Sequence, residues 1–200
     1  MIGIITGDII NSKKSSPKIW LSALKTILNR YGNQPKQWDI FRGDSFQLEV
    51  SPMQALEASI LIKATIKQFK NTDVRIAIGI GEKTYNSEKI TESNGSAFVN
   101  SGECFETLKK TTLAIKSPFE TLDTPINIML DLAQLTINHW TSASSILVKT
   151  ALEHPELNQK QLANLLEQTQ GNISQGLRRA GFDEVIKLIH YYSNKIETLC

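Results

Sequence analysis

The first 80 residues alternate between two hydrophobic periods, and this alternation limits the fold more than any other feature of the sequence. A run rich in β-branched residues, Ile2 to Ile10, predicts a buried strand, and Ser16-Pro17 predicts the start of a helix. A hairpin between Trp38 and Val50, a helix after Ser51-Pro52 and a strand from Val74 to Ile80 follow. This strand–helix–hairpin–helix–strand order is that of the ferredoxin-like plan, in which the crossovers put both helices on one face of an antiparallel sheet.

The rest of the chain changes character after Ser117-Pro118. Before that point we predict one more helix, from Ser96, and a short strand from Leu113 to Lys116. Beyond it only helical periodicity remains, and Pro125 interrupts the pattern, so we predict a helix from Ile126 to Trp140. The sequence therefore predicts an α+β protein with a ferredoxin-like domain over residues 1–118, a connecting helix over 119–140 and an all-α domain over 141–200.

Composition limits the partners and the compartment. The net charge of +2 is too small to indicate a nucleic-acid partner by itself. Two cysteines, Cys104 and Cys200, cannot form a disulfide framework, which predicts a reducing, cytoplasmic location. Because no run of about 18 apolar residues occurs, we predict no membrane partner.

Two Gly-Asp pairs are the candidates for chemistry. Asp8 lies near the end of the first predicted strand and Asp44 lies at the hairpin turn, so a ferredoxin-like sheet would bring both carboxylates to one rim. Paired carboxylates repel unless a cation joins them, and Mg²⁺ prefers such oxygens; two such cations can organise phosphoryl transfer. Gly7 and Gly43 would let the backbone approach a ligand, and Ile9 could add a carbonyl. The alternative is that both acids are ordinary turn and strand-end residues.

Four motifs carry a resemblance to a known family. TGDIINSKK and the RGDSFQLEV hairpin resemble the two metal-aspartate motifs of the class III nucleotidyl cyclases. VRIAIGIGE resembles the cyclase strand with an Arg-Ile-Gly pattern, and GSAFVNSGECFETL resembles the cyclase helix with a Val-Asn pair. The whole arrangement resembles the SatD family, bacterial proteins that pair a cyclase-like domain with a helical C-terminus.

The resemblance implies roles for individual residues. Asp8 and Asp44 match the metal aspartates, Asn100 matches an asparagine that orients the substrate, and Arg42 is a candidate phosphate contact. The cyclases place an arginine four residues after that asparagine, whereas this chain has Cys104, which cannot donate a charged fork. Loss of such a donor lowers rates by orders of magnitude, so the resemblance favours a nucleotide- or phosphate-binding site, or a scaffold, over cyclisation.

The segment LNQKQLANLLEQTQGNISQGLRRAGF resembles a helix-turn-helix of the winged-helix or MarR-like kind. The pattern predicts a first helix from Gln159 to Glu167, capped by Asn158, and a second from Gln170 to Ala180. Glu167 stands where the turn of this motif often has glycine. The residues predicted to face inward are Leu162, Ala163, Leu166, Ile173 and Leu177.

The second of these helices would enter the major groove of duplex DNA. Asn and Gln pair with adenine edges, and Arg pairs with guanine or phosphate. Residues 141–200 contain six Lys or Arg and six Asp or Glu, so a single copy would bind weakly, and a homodimer or a clustered basic face would be required. The alternative is a helix-turn-helix used for protein contacts. The predicted DNA-binding residues are Gln170, Asn172, Ser174, Gln175, Arg178 and Arg179.

Three hypotheses follow from the sequence. The first is a transcriptional regulator in which the cyclase-like domain binds a nucleotide or a phosphorylated ligand with Mg²⁺, or serves as a scaffold, and the helix-turn-helix binds DNA. The second is a two-metal enzyme acting on a nucleotide. The third is a non-catalytic interaction protein. The apolar stripe of the Ile126–Trp140 helix would pack the two domains together or pair two subunits.

Overall fold

The computed structural model describes residues 1–12 and 17–200, which form five strands and eight α-helices. The chain is α+β, as predicted. The strands are β1 (Ile2–Ile10), β2 (Trp38–Phe41), β3 (Ser45–Val50), β4 (Asp73–Gly81) and β5 (Leu113–Lys116). The helices are α1 (Pro17–Asn29), α2 (Ala55–Lys67), α3 (Ser96–Thr107), α4 (Glu120–Ile137), α5 (Ser142–Glu153), α6 (Gln159–Leu165), α7 (Gln170–Arg179) and α8 (Phe182–Glu197).

The strands form one mixed sheet in the order β2-β3-β1-β4-β5. The central strand β1 pairs antiparallel with both β3 and β4, and β5 pairs parallel with β4 after the crossover through α3. The order of elements through β4 is the predicted one. Ser16, the predicted start of the first helix, lies outside the described residues.

The two faces of the sheet are covered by different helices. Alternate residues of β1, such as Ile5 and Ile9, lie in the same buried cluster as α1 and α2, whereas Ile4 packs with α3 on the other face. Helix α3 lies very close to β4, because a Cβ on Gly79 would sit 2.3 Å from the Ala97 carbonyl oxygen. A side chain at this position would push α3 off the sheet.

Helix α2 lies at the centre of the molecule, and every one of its residues except Glu57 is buried. Its two lysines share a single carboxylate. Lys63 Nζ donates to Asp73 Oδ1 at 2.8 Å and to Thr112 Oγ1 at 2.9 Å, and Lys67 Nζ donates to Asp73 Oδ2 at 3.1 Å. Burial lowers the pKa of Lys63 from 10.5 to about 8, and Asp73 opposes that shift.

The prediction that Pro125 interrupts the fourth helix is wrong. Helix α4 begins at Glu120 and contains Pro125. The turn before the proline is held independently, because the Leu122 and Asp123 amides donate to the Phe119 carbonyl. Proline therefore removes only its own N–H from the helix, and the burial of Leu122 on the core side of α4 offsets that loss.

The sheet and the helical half share one buried cluster, which runs from β1 and α2 into α4, α5 and α8. The predicted stripe of α4 packs inward: Ile126, Leu130 and Ile137 are fully buried. Tyr192 Oη donates to the Pro52 carbonyl at 2.8 Å, which ties α8 to the segment before α2. In the part of the chain that the structure describes, no helix is both long and apolar enough to cross a membrane.

Candidate functional site

Helices α5, α6 and α7 form a compact unit with a small core of their own. Gly176 of α7 lies against Leu147 of α5 so closely that a Cβ there would sit 2.2 Å from Leu147 Cδ1. This contact fixes where α7 crosses α5. The core residues are Leu147, Ala151, Leu162, Ala163, Ile173 and Leu177, with Leu157, Leu166 and Phe182 partly buried around them.

Both helices of the motif begin at a side-chain cap. Asn158 Oδ1 accepts from the Gln161 amide at 3.0 Å, and Gln161 Oε1 accepts from the Asn158 amide at 2.9 Å, which is a reciprocal capping box. Thr169 Oγ1 accepts from the Asn172 amide at 3.2 Å at the start of α7. These caps satisfy amides that a helix start would otherwise leave without a partner.

The turn between α6 and α7 passes through Glu167, which has a φ of 53°. The Gln168 amide donates to the Ala163 carbonyl at 2.9 Å, and the Glu167 amide donates to the Asn164 carbonyl at 3.3 Å. This is the pattern that ends a helix with a left-handed residue, usually glycine. The turn therefore keeps the conformation typical of the motif although the residue there is glutamate.

Replacing Glu167 with glycine should stabilise the protein. A non-glycine residue in the left-handed region costs about 1–2 kcal/mol, partly offset by the greater chain entropy of glycine, so we expect the free energy of unfolding to rise by about 0.5–1 kcal/mol. Urea unfolding measures this change in the free energy of unfolding. Gln168→Gly is the matched control, because no positive φ occurs at that position, and it should lower stability. A loss of stability in Glu167→Gly would contradict the strained turn.

The outward surface of α7 is polar and contains no acidic residue. Ile173, Gly176 and Leu177 face the core, and the opposite side ends in Arg178 and Arg179. Glu167 precedes this surface in the turn. All of the predicted DNA-binding residues are exposed: Gln170, Asn172, Ser174, Gln175, Arg178 and Arg179.

The two Gly-Asp pairs lie at the same end of the sheet. Asp8 of β1 pairs in register with Ser45 of β3, the residue after Asp44. The Ile9 amide donates to the Asp44 carbonyl at 3.1 Å. The strand pairing therefore places the two aspartates at one rim, as the sequence predicts.

Both carboxylates at this rim already have protein partners. Arg75 Nη2 donates to Asp8 Oδ2 in a close ion pair, and Ser12 Oγ donates to Asp44 Oδ2 at 2.7 Å. Arg75 also lies 5.1 Å from the centre of the Phe105 ring. Within residues 1–12 and 17–200, no group of three or more His, Cys, Asp and Glu side chains is placed to hold a metal. For Asp8 to bind a cation, its carboxylate would have to leave Arg75.

Local structure explains both glycines at the rim. A Cβ on Gly7 would sit 2.3 Å from the Phe46 ring, so Gly7 makes room for that side chain. Gly43 has a φ of 88° and open space around it, and Arg42 before it has a φ of 53°. Gly43 therefore serves the turn rather than a close packing contact, and Arg42 is exposed beside it.

The residues carried over from the cyclase helix lie inside α3. Asn100 Nδ2 donates to the Ile80 carbonyl at 2.8 Å, so its amide is used to tie α3 to β4. Cys104 is buried, and burial raises the pKa of its thiol to about 12. Cys104 is therefore a small core residue with a protonated thiol at neutral pH.

Sequence reasoning missed Arg75 as the partner of Asp8. The sequence does not indicate this pair directly, because Arg75 comes opposite Asp8 only through the antiparallel register of β4 and β1. Asn100 lies in α3 and Ile9 lies near the end of β1, which are the elements in which the sequence predicts them. No protein-family model matches the chain, and no curated protein matches it either.

Proposed function

We propose that the chain is a transcriptional regulator of the SatD kind that binds duplex DNA through α7. The observation that supports this most directly is the surface of α7, on which every outward side chain longer than glycine is a neutral hydrogen-bonding group or an arginine. Such a helix offers amides for adenine edges and guanidinium groups for guanine or phosphate. Its N-terminal end projects from a capped turn, the end that reaches base edges in this motif.

The composition of α7 favours DNA over a protein partner. Protein interfaces depend on a few buried anchors, most often Trp, Tyr or Arg. Helix α7 is described over its whole length, and its large apolar residues, Ile173 and Leu177, are both buried in its own core. The exposed side therefore has no apolar or aromatic anchor for a protein surface, whereas it has the donors and acceptors that base recognition requires.

The sheet half is proposed to be ferredoxin-like and related to the cyclase domain. The antiparallel order β2-β3-β1-β4, with α1 and α2 on one face, supports that assignment. Its ligand would be a nucleotide or another phosphorylated compound, with Mg²⁺ held by Asp8, Asp44 and the Ile9 carbonyl. Among the residues that the structure describes, Arg75 and Arg42 would be cations close to such a phosphate.

The two-metal enzyme is less well supported. Asp8 is held by Arg75, and Asn100 is held by the Ile80 carbonyl. Neither group is free to act on a substrate in this arrangement. The non-catalytic scaffold differs from our proposal in having no nucleic-acid partner.

Selection from a pool of randomised duplexes, followed by fluorescence anisotropy, tests DNA binding. We expect an enriched sequence whose affinity falls at least tenfold between about 50 and 200 mM salt, because phosphate contacts release counterions. Absence of enrichment together with no binding at micromolar protein in low salt would contradict the regulator and leave the scaffold.

Calorimetric titration tests the ligand site separately. We expect nucleoside triphosphates to bind in the presence of Mg²⁺ and not to bind to Asp8→Asn. Because Arg75 competes with the cation for Asp8, Arg75→Gln should strengthen the binding of Mg²⁺ alone. Glu103→Gln is the control, since its ion pair with Lys116 is exposed on α3. An unaltered titration of Asp8→Asn would contradict a cation at this rim.

A further inference from the structure

Helix α4 carries apolar side chains on its outer face as well as on its inner face. Ile128, Leu132 and Leu135 are 57%, 64% and 70% exposed. Leu132 and Leu135 are the most exposed of the large apolar side chains in the described part of the chain. Their spacing of four and three residues places them on one face of the helix.

This outer face is distinct from the stripe that packs against the core. The inner stripe contains Ile126, Leu130 and Ile137, all fully buried. A helix that is apolar on both faces is typical of a position between two layers of protein. The inner layer is this molecule, so the outer face of α4 lacks a second layer.

The outer face continues into a groove between α4 and α8. The groove has a volume of about 820 Å³ and is lined by Met129 and Ala133 on the α4 side and by Leu188 and Tyr191 on the α8 side. A separate, smaller and more polar pocket lies beside Tyr191, between the start of α4 and the end of α8. The exposed apolar surface therefore runs along the second half of α4 and the first part of α8.

We propose that this face binds a second copy of the chain and makes the protein a two-fold dimer. The choice of a second copy rests on the proposed function, because residues 141–200 contain equal numbers of basic and acidic residues. One copy of α7 would hold duplex DNA weakly, whereas a dimer doubles the phosphate contacts. The palindromic sites that helix-turn-helix proteins read also require two-fold symmetry.

Exposed charges of opposite sign lie on the two helices. Helix α4 has three acidic residues and no Lys or Arg, and Asp131 is exposed beside the leucines. On the α8 side Lys187 and Glu184 line the groove. When α4 of one copy lies along α8 of the other, Asp131 of one copy can pair with Lys187 of the other, and this pair forms twice across the two-fold axis.

The size of the face suits a dimer. Helix α4 has 18 residues and α8 has 16, so at ~1.5 Å per residue and ~10 Å per helix the pair presents roughly 500 Å² in projection. Stable interfaces bury about 800 Å² of accessible surface per partner, which is the same order. The face is therefore large enough to form the centre of a dimer interface.

The position of the groove links it to α7. Gly181, which lines the groove, follows α7 by two residues, and Trp140 Nε1 donates to the Ala180 carbonyl at 2.8 Å. The end of α7 is thus held directly at the edge of the proposed interface. A dimer formed there would set the separation of the two α7 helices and leave their polar sides free.

Sedimentation velocity of the full chain without DNA tests the dimer. We expect the wild type to sediment as a dimer at about 10 μM and above, as it would with a dissociation constant of about 1 μM or less. Leu132→Asp and Leu135→Asp should each sediment as monomers with an unchanged melting temperature, because both side chains are exposed in the single copy. Val99→Asp, at a side chain of α3 that is 50% exposed, is the matched control and should remain dimeric.

Two outcomes would overturn the proposal. One is a monomeric wild type at about 100 μM, and the other is a dimer that persists in both leucine variants. Because no DNA is present in this experiment, neither outcome tests DNA binding, which the selection and anisotropy measurements test separately. Conversely, a dimer that fails to bind any duplex would contradict the regulator and not the interface.

Discussion

Replacing Arg178 and Arg179 together with alanine is expected to weaken binding to a selected duplex by at least ~30-fold. Each arginine in contact with a base or phosphate contributes about 1–3 kcal/mol, and ~1.4 kcal/mol corresponds to a factor of ten. The slope of log affinity against log salt should also become shallower by about one to two units. Both side chains are exposed at the last turn of α7, so folding should not change.

Arg42→Ala is the matched control for this measurement. It also removes one exposed arginine, but from the hairpin of the sheet half. Its affinity for the duplex should stay within about twofold, as exposed residues outside an interface are close to neutral. If the double variant kept its affinity and its salt slope, these two arginines of α7 would not contact the DNA. An equal loss in Arg42→Ala would mean that DNA contacts the sheet half.

Replacing Asp73 with asparagine is expected to lower the free energy of unfolding strongly. Lys63 and Lys67 are both buried and both donate to this carboxylate. Asparagine would leave two ammonium groups without a counter-charge, and removal of one partner from a buried ion pair costs about 3–5 kcal/mol. Denaturant unfolding, with circular dichroism of the native state as the check on folding, measures the loss.

Glu92→Gln provides the comparison with a solvated ion pair. Glu92 pairs with Lys89, and both side chains are more than half exposed. Breaking such a pair should change the free energy of unfolding by less than about 1 kcal/mol. If Asp73→Asn cost no more than Glu92→Gln, the Asp73 network would not contribute to the stability of the core.

Much of the fold follows from local patterns. The alternation in Ser45–Val50 and the β-branched run in Ile2–Ile10 are sufficient to predict strands, and antiparallel pairing of those strands then brings Asp8 and Asp44 to one rim. The exposed set on α7 follows from helical periodicity in the same way. These features depend on residues close together in sequence, where side-chain direction is set by the backbone period.

Other features depend on contacts between distant residues, and local patterns cannot predict them. The proline in α4 is tolerated because the turn before it is held and its core side is buried. Glycine at position 7 is needed because the Phe46 ring comes from another strand. The sequence pattern makes Lys63 a polar position on a helix, yet it is buried against Asp73 and Thr112 because β4 and β5 both begin there.

The amino-acid order is thus enough to predict the five strands and the polar side of α7, since each is encoded within a few turns or pleats, whereas the start of α4 depended on packing. The partners of the charged groups come from packing: Arg75 meets Asp8 only through the register of β1 and β4. The outer leucines of α4 likewise become an exposed surface only once its other face is buried. Charge pairing and exposure are properties of the assembled chain, because they depend on which distant surfaces exclude water.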